Sequence, residues 1–568
     1  MINGMTEQEF IHHPDTTSFV VQKNDFFVQY AAAHPEILMT QLLQDQYWIG
    51  YTTSEFYPNI IQALGSSYIS HSPVVFGLLD RAALEASGII QVQNQPYLSL
   101  RGQGVLIGIV DTGIDYTADL FQYPDKTSKI QFIYDQTAEG PPPEGFFFGT
   151  EYTNAQINEA LRAEDPYSVV PQRDTSGHGT FLSSVAAGRA TGEFIGAAPD
   201  SELIIVKLAR ARPFLYERLL VPPEQENAFA TPEIMVGVEY LLMKAKQLNR
   251  PLVICIGLGS NYGSHDGSYV LERYLYTIAN QRSVCVCTSA GNESQARHHT
   301  QGLLSSQALQ QNIDLTVGEG SGSTLITVIN SGVDRFSVSV RSPTGELVNR
   351  VPARSGTQQL FPLILEDATV GISYFFPMEE SGAQFTIIRL INPTPGIWTI
   401  TLYGDIVLDG TYHAWLPLTG FVSPGIEFLS AVPYSTIVTP ATMFGSIVCG
   451  GYDNRDGSLY ENSSWGPTRT PTMSPDLVAP ADSVGGYFPS GYGIMSGTSV
   501  ATAITAGAAA LLMQWGVVNG NDPAMSTYQI RAYLLRGCTR SDSMTYPNRK
   551  WGYGTLNLLQ TFNLMREM

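Results

Sequence analysis

The sequence predicts a doubly wound α/β domain that is interrupted by an antiparallel β-sandwich and preceded by a small α+β unit. Three observations lead to this fold class. Apolar strands alternate with helical stretches from residue 104 to about residue 300, short alternating strands replace them up to residue 433, and the α/β pattern then returns. The chain of 568 residues is too long for one compact core, so several domains are expected.

The first 80 residues are predicted to form the small α+β unit. We expect strands at residues 25–31, 47–52 and 66–76, and helices from His34 to Leu43 and from Pro58 to Gly65. This order of elements fits a ferredoxin-like unit. A generic N-terminal α/β extension is the alternative interpretation.

The central α/β domain is predicted in two parts, residues 81–300 and 435–568. Its strands are near-continuous apolar runs, which are typical of a parallel sheet that is buried on both faces. Helices are expected between them. The strands are predicted at residues 105–110, 202–208, 252–258, 283–290 and 442–451, and the helices at 232–248, at 269–281 and from Ser499 onward.

The β-sandwich is predicted between the two parts, over residues 301–434. Helical periodicity is absent there, and Gly- and Pro-containing turns separate short alternating strands. The strands are predicted at residues 312–317, 323–329, 335–341, 371–376, 384–391 and 397–403. Because the alternation of apolar strands and helices resumes after residue 434, we expect the sandwich to be inserted in the α/β domain and not appended to it.

Composition excludes several classes of partner. With 31 Lys and Arg against 51 Asp and Glu, the formal charge is −20, and a surface this acidic repels nucleic acid. The N-terminus has no basic and apolar secretion signal, and the best apolar run, from Ala501 to Trp515, is too short to cross a membrane. We therefore expect neither a nucleic acid nor a membrane as partner.

The five cysteines, an odd number, are expected to be free buried thiols in a reducing compartment. Disulfides or metal ligation are the less favoured alternatives.

Three glycine-flanked blocks carry the candidate catalytic residues. They are Asp111 in Asp-Thr-Gly, His178 in Ser-Gly-His-Gly-Thr and Ser499 in Gly-Thr-Ser, in that order along the chain. A serine hydroxyl becomes a useful nucleophile when a neutral imidazole takes its proton and a carboxylate orients that imidazole. Together the three blocks predict such a relay.

The predicted elements place these side chains suitably. Asp111 follows a buried strand, at the sheet edge where α/β proteins bind ligands. His178 precedes a helix predicted from about Phe181 to Gly188. Ser499 begins a helix, where free N–H groups favour a developing oxyanion, and Asn292 is the candidate for the second oxyanion donor. Alone, each residue also fits an ordinary turn or helix cap.

These blocks resemble those of the subtilisin-like serine proteases, the subtilase family. The flanking stretch from Ser464 to Pro480 matches as well, and the resemblance covers roughly residues 100–300 and 435–565. It implies a serine endopeptidase that acts on a protein or peptide without a cofactor. It further implies that Leu258 and Gly259 form one wall of the substrate pocket and Ser289, Ala290 and Gly291 the other, with substrate added as a β-strand.

More narrowly, the layout resembles the Csp germination proteases of spore-forming Clostridia. This resemblance implies that residues 1–80 are a prodomain, both chaperone and inhibitor, which the enzyme cuts off between residues 70 and 90 and retains. It implies that the sandwich is a jelly roll and that the substrate is a pro-enzyme such as a spore cortex hydrolase. The protein is then expected in the cytoplasm or packaged in the spore of a Gram-positive bacterium.

Two substitutions depart from the family pattern without touching the relay. Phe181 stands where many subtilases have His, and Ala503 where Pro is common. The stretch 189–194 lacks the ligand density of a calcium loop, so no metal is predicted. The rival hypothesis is an inactive pseudoprotease that serves as a binding or signalling scaffold, although the complete Asp–His–Ser set argues against it. A lipase or esterase is disfavoured by the order of the three residues.

Overall fold

A sheet of eight strands lies at the centre of the computed structural model, which describes residues 5–65, 71–78, 85–192, 194–356 and 358–566, with only the backbone at 75–78 and 85. All neighbouring strands are parallel except the edge strand Thr150–Thr153. Across the sheet, the strands are Leu477–Pro480, Ile447–Tyr452, Val284–Ser289, Leu252–Ile256, Leu106–Asp111, Glu202–Lys207, Ile130–Asp135 and Thr150–Thr153.

Helices cover both faces of this sheet, so the predicted doubly wound architecture is confirmed. Apolar strand side chains alternate between two core clusters, as expected when both faces are buried. Helices Ile89–Gln93, Asn154–Ala160, His178–Ala187, Thr498–Met513, Thr527–Gly537 and Leu558–Met565 contribute to one cluster. Helices Pro213–Leu219, Thr231–Leu248 and Val270–Ala279 contribute to the other.

The helix that carries Ser499 is the core of the first cluster. It spans Thr498–Met513, is continued by the turn Gln514–Val518, and is longer than the apolar run Ala501–Trp515 on which the sequence prediction was based. By length and composition alone this helix could cross a membrane. However, 89% of its apolar window is buried inside the fold, as expected for a core helix.

The inserted region forms two antiparallel sheets that face each other across an apolar core. The six predicted strands are present, and five further strands complete the sheets. One sheet contains His299–Leu303, Thr411–Trp415, Thr324–Asn330, Gln384–Ile391, Ala368–Phe375 and Gln358–Leu363, and the other Leu347–Val351, Arg335–Arg341, Gly396–Ile406, Gln310–Val317 and Glu427–Phe428. We call this region the sandwich.

The N-terminal unit differs from its prediction at two elements. Residues 25–31, predicted as a strand, lie in the helix Asp25–Ala33, whose start is capped by the Asn24 side chain accepting from the Phe27 N–H. The predicted helix from His34 to Leu43 is instead the strand Ile37–Leu43. The unit also contains helices Glu7–His12 and Tyr57–Leu64 and a sheet in the order Thr16–Gln22, Tyr47–Thr53, Ile37–Leu43.

The two errors have different causes. The helix Asp25–Ala33 buries Phe27 and Ala31, one turn apart, but exposes Phe26 and Val28, so its apolar residues follow one another as in a strand. The sheet of the N-terminal unit is covered on one face by its own helices and on the other by helices of the central domain. The strand Ile37–Leu43 is therefore buried at most positions, and the two-residue alternation that marks a half-buried strand is lost.

The strand Val75–Leu78 leaves this unit and joins the central domain. It lies antiparallel between Leu258–Gly259 and Phe229–Ala230 and forms a three-stranded sheet with them. We call it the tail strand. The strand predicted at residues 66–76 overlaps it, but residues 66–70 lie outside the described residues. A hairpin of Val484–Phe488 and Gly491–Met495 completes the fold and leads directly to the Ser499 helix.

Candidate active site

The structure brings Asp111, His178 and Ser499 together in one chain of contacts. Both carboxylate oxygens of Asp111 lie 2.9 Å from His178 Nδ1, and His178 Nε2 lies 3.3 Å from Ser499 Oγ. The exposed fractions of the residues are 0%, 4% and 0%, respectively. Burial strengthens these contacts because little water competes for the polar atoms. The arrangement is the order of contacts that nucleophilic catalysis by a serine requires.

Backbone geometry explains how each residue reaches this point. Asp111 ends the strand Leu106–Asp111, and His178 opens its helix after Gly177, which adopts a left-handed conformation (φ 82°). The helix starts three residues before its predicted start at Phe181. Ser499 is the second residue of the helix Thr498–Met513, where the backbone N–H has no preceding helical carbonyl as partner.

Asp174 holds the histidine loop and was missed from the sequence. Its Oδ1 accepts from the Thr112 hydroxyl at 2.8 Å and from the Gly177 N–H at 2.7 Å. Its Oδ2 accepts from the Thr180 N–H at 2.8 Å and the Thr180 hydroxyl at 2.7 Å. One carboxylate thus joins the turn after Asp111 to the first turn of the His178 helix. An acidic residue just before a helix start is the signal that could have identified it.

Two glycines allow the close approach of these elements. A Cβ on Gly179 would lie 2.3 Å from the carbonyl oxygen of Gly113, at the turn after Asp111. A Cβ on Gly257 would lie 3.2 Å from Ser499 Cβ and 3.3 Å from His178 Cε1. The absence of a side chain at Gly257 therefore lets the backbone that follows the strand Leu252–Ile256 pass close to both candidate catalytic residues.

Asn292 lies beside the first turn of the Ser499 helix. Its Oδ1 accepts from the Thr498 N–H at 3.1 Å and from the Thr498 hydroxyl at 3.2 Å. Because the backbone N–H can only donate, the oxygen of the amide must face Thr498. The amide nitrogen is then directed away from Thr498 and keeps its two donors for another acceptor.

Glu293, the next residue, is buried and joins this turn to the sandwich. Its carboxylate accepts from Asn261 Nδ2 at 3.1 Å and from the sandwich Thr419 N–H at 3.2 Å, and lies 2.8 Å from His298 Nδ1. Burial opposes ionisation, but His298 and the hydrogen bonds outweigh it and lower the pKa of Glu293. No local sequence signal marks this role, because Thr419 lies 126 positions away.

The predicted pocket residues occupy two different settings. Leu258 and Gly259 pair with Leu78 and Gly77 of the tail strand, so this wall already carries an added β-strand. Ser289 contacts the Thr502 hydroxyl at 2.8 Å, the Ala290 N–H donates to Cys449 O at 2.9 Å, and the Gly291 N–H donates to the Thr498 hydroxyl at 3.1 Å. The second wall is thus anchored to the Ser499 helix and the central sheet.

Within the described ranges, no three His, Cys, Asp or Glu side chains converge as a metal site. The five cysteines are buried, as predicted from their apolar surroundings.

A buried serine, histidine and aspartate at the edge of a doubly wound parallel sheet define the class of serine hydrolases that work through an imidazole relay. Comparison with known proteins makes the assignment narrower. The model of the subtilase family (peptidase S8) matches residues 102–349 and 429–554. The chain therefore belongs to the subtilase family of serine proteases.

One solved structure agrees with this assignment. The CspB protease of Clostridium perfringens is 31% identical, with a TM-score of 0.75, and the match covers 85% of this chain and 99% of that chain. A serine protease of Staphylococcus aureus that processes the epidermin leader peptide is 12% identical, with a TM-score of 0.44, over 98% of this chain and 99% of that chain. Only the first likeness is high enough to support an argument about this chain.

Proposed function

We propose that the chain is an endopeptidase in which Ser499 is the nucleophile. Ser499 Oγ attacks the peptide carbonyl while its proton passes to His178 Nε2, and Asp111 holds the Nδ1 proton. The C–N bond then breaks, His178 gives the proton to the leaving amine, and water hydrolyses the acyl-enzyme by the same relay. The observation that carries this proposal is the continuous chain of contacts at 2.9 and 3.3 Å from Asp111 through His178 to Ser499.

Asn292 and the Ser499 N–H are proposed to hold the oxyanion. The orientation of the Asn292 amide, with its oxygen towards Thr498, supports this role because its nitrogen donors face away from the helix. A donor prealigned in this way needs no reorganisation when negative charge develops, and removing one in this protease family costs about 10²–10³ in turnover. No cofactor takes part in the proposed reaction.

Residues 1–80 are proposed to be a prodomain that the enzyme removes from itself. The tail strand pairs Leu78 with Leu258, and a Cβ on Gly257, the residue before Leu258, would lie 3.2 Å from Ser499 Cβ. The chain is thus directed towards Ser499 as it leaves Leu78. Within the predicted range of residues 70–90, this direction favours cleavage at one bond between Leu78 and residue 85. Residues 79–84 lie outside the described residues.

The prodomain is proposed to stay bound after cleavage. Tyr51 and Ile49 share an apolar cluster with the helix Thr231–Leu248, Ser18 donates to Glu233 Oε2 at 3.2 Å, and Arg212 donates to Ile11 O at 2.6 Å. Noncovalent contacts of this extent do not depend on the peptide bond that joins the two parts. The retained prodomain would keep the tail strand in the cleft.

The natural substrate is proposed to be a pro-enzyme, such as a spore cortex hydrolase that is activated during germination. This proposal and the proposed location, in the cytoplasm or the spore, rest on the resemblance to the Csp proteases. Incubation of the processed chain with a purified cortex pro-hydrolase, followed by mass spectrometry of the products, tests the substrate directly.

Purified protein with Ser499→Ala tests the proposed function. Wild-type chain should yield two fragments, with a new N-terminus between residues 79 and 85, whereas the variant should remain one chain. Ser496→Ala is the matched control, because this serine is three residues away and its hydroxyl donates to Asp482 at 2.5 Å. Cleavage that persists in pure Ser499→Ala would refute self-processing. Wild-type Ser499 that neither cleaves nor reacts with a fluorophosphonate would favour the scaffold hypothesis.

A further inference from the structure

The segment before the tail strand follows the central domain as far as the sandwich. Ser72 O accepts from the Tyr269 hydroxyl at 2.6 Å. Val74 exchanges backbone contacts with Thr231, whose N–H donates to Val74 O at 3.1 Å and whose Oγ1 accepts from the Val74 N–H at 3.0 Å. Together with the tail strand, these contacts show a continuous path along the central domain from Ser72 to Leu78, which pairs with Leu258.

Most contacts along this path do not depend on the side chains of the bound segment. Hydrogen bonds to Ser72 O, Val74 O and the Val74 N–H involve backbone atoms that every residue other than proline offers. The amino-acid sequence of the bound segment matters only at positions where its side chain is bound. Among the described side chains of the segment, Val74 is buried in the apolar cluster of the central domain, and His71 meets a charged residue of the sandwich.

That charged residue is Glu379. His71 Nδ1 lies 3.3 Å from Glu379 Oε2, and the side chains are 2% and 31% exposed, respectively. Glu379 lies in the turn between the strands Ala368–Phe375 and Gln384–Ile391. The neighbouring Glu380 faces a different partner, Arg273 of the central domain, at 2.8 Å. The Arg273–Glu380 pair joins this turn to the central domain, and Glu379 is the carboxylate that faces His71.

We propose that Glu379 is a distal specificity determinant of the protease, contributed by the sandwich. It selects a basic side chain seven positions before the residue that pairs with Leu258, which is the separation between His71 and Leu78. The preferred substrate is therefore a segment with a cationic residue at that separation in sequence from the residue that pairs with Leu258. This inference rests on the proposed function and assigns to the inserted domain a part in substrate selection.

Charge reversal tests the inference through the rate of self-cleavage. His71→Glu places two carboxylates together, and Glu379→Lys replaces the carboxylate that faces His71 with a cation. In both variants the first-order rate of self-cleavage should fall about three- to tenfold, as expected for a partly exposed pair. The double variant His71→Glu/Glu379→Lys restores opposite charges and should recover most of the wild-type rate. His71→Glu/Glu380→Lys is the matched control and should not recover, because Glu380 faces Arg273.

Thermal unfolding of each variant shows whether it is folded, and Glu379→Gln provides a milder change if a reversed charge prevents folding. Unchanged rates of self-cleavage in folded single variants would overturn the inference. So would a double variant whose rate falls by the product of the two single fold-decreases, because the two side chains would then act independently. Because wild-type cleavage is measured in the same experiment, the two failures are distinguishable. Loss of wild-type cleavage would contradict the proposed function, whereas cleavage without charge dependence would contradict only the role of Glu379.

Discussion

Asp174 shows how a residue outside the three reactive side chains positions them. Its four accepted hydrogen bonds, at 2.7 to 2.8 Å, come from both sides of the contact between Asp111 and His178. It does not touch the reacting atoms. Its effect on the reaction must therefore act through the position of the imidazole relative to Asp111 and Ser499.

At the scale of single residues, we predict that Asp174→Asn lowers turnover and leaves substrate affinity almost unchanged. The amide has one acceptor oxygen, so its nitrogen would face N–H donors, and a capping contact of this kind contributes about 0.5–2 kcal/mol. Turnover of a chromogenic peptide and the rate of fluorophosphonate labelling should fall about tenfold, with KM almost unchanged.

Asp115→Asn is the matched control for this prediction. The side chain of Asp115 accepts from Thr117 and Tyr167, and its carboxylate has no contact with the His178 loop. Equal losses in both variants, or a rise in KM that accounts for the loss in Asp174→Asn, would contradict the positioning role.

At the scale of elements, activity depends on how closely the His178 helix approaches the strand of Asp111. Gly179, in the first turn of this helix, lies against the backbone at Gly113. Close packing leaves no room for the helix to shift without changing the distance between His178 and Asp111.

We therefore predict that Gly179→Ala abolishes self-cleavage. Its Cβ would lie 2.3 Å from Gly113 O, and a backbone carbonyl cannot rotate away as a flexible side chain can. The helix must move, and the free energy of unfolding should fall by about 1–3 kcal/mol. Denaturant unfolding and the self-cleavage rate measure the two effects. Gly322→Ala is the control, because the nearest atom to its Cβ would be 3.8 Å away. Normal self-cleavage in Gly179→Ala would show that the contact can relax.

At the scale of the whole molecule, the N-terminal unit packs on the central domain and also contacts the sandwich. Its sheet shares one apolar cluster with the helices Thr231–Leu248 and Val270–Ala279, and its helices share another with sandwich residues such as Phe375 and Phe385. Arg273 joins all three parts, since it donates to Gln22 of the N-terminal unit and to Glu380 of the sandwich. Release of the unit would expose both apolar surfaces.

One buried carboxylate makes this association depend on pH. Burial raises the pKa of Glu233, which accepts from Ser18 at the interface, and the Arg212 charge only partly offsets it. When the unit leaves and water reaches Glu233, its pKa should return towards the ordinary value near 4.5. The complex therefore binds the proton more tightly than the separated parts. The N-terminal unit therefore associates most strongly at pH values below the ordinary pKa of Glu233. The association weakens as the pH rises through the raised pKa that Glu233 has in the complex.

Processed protein tests this prediction. The fraction of N-terminal fragment that elutes with the rest of the chain in gel filtration should fall from pH 5 to pH 8. In Glu233→Gln, which carries no charge at any pH, the fraction should change less across this range. An identical pH dependence in both proteins would show that other groups control the association.

Much of the architecture was predictable because local sequence patterns determine it. The apolar runs at residues 105–110 and 202–208 are strands at nearly those bounds, and so are the alternating runs at 335–341 and 384–391 of the sandwich. In these segments the pattern of apolar residues in the sequence matches the element. The prediction failed at Asp25–Ala33, where exposed Phe26 and Val28 give the helix a strand-like apolar run, and at Ile37–Leu43, where a register irregularity between Met39 and Leu42 breaks the two-residue alternation.

By itself, the sequence predicted the candidate catalytic residues, their order and the local elements that present them, because glycine-flanked turns and strand ends are local features. Only the tertiary structure decided which distant groups meet. His178 and Ser499 are 321 positions apart, and the contacts of Asp174 with Thr112, of Glu293 with Thr419 and of His71 with Glu379 also join separate segments. Such contacts follow from the crossing of strands and the packing of domains, which no local periodicity encodes.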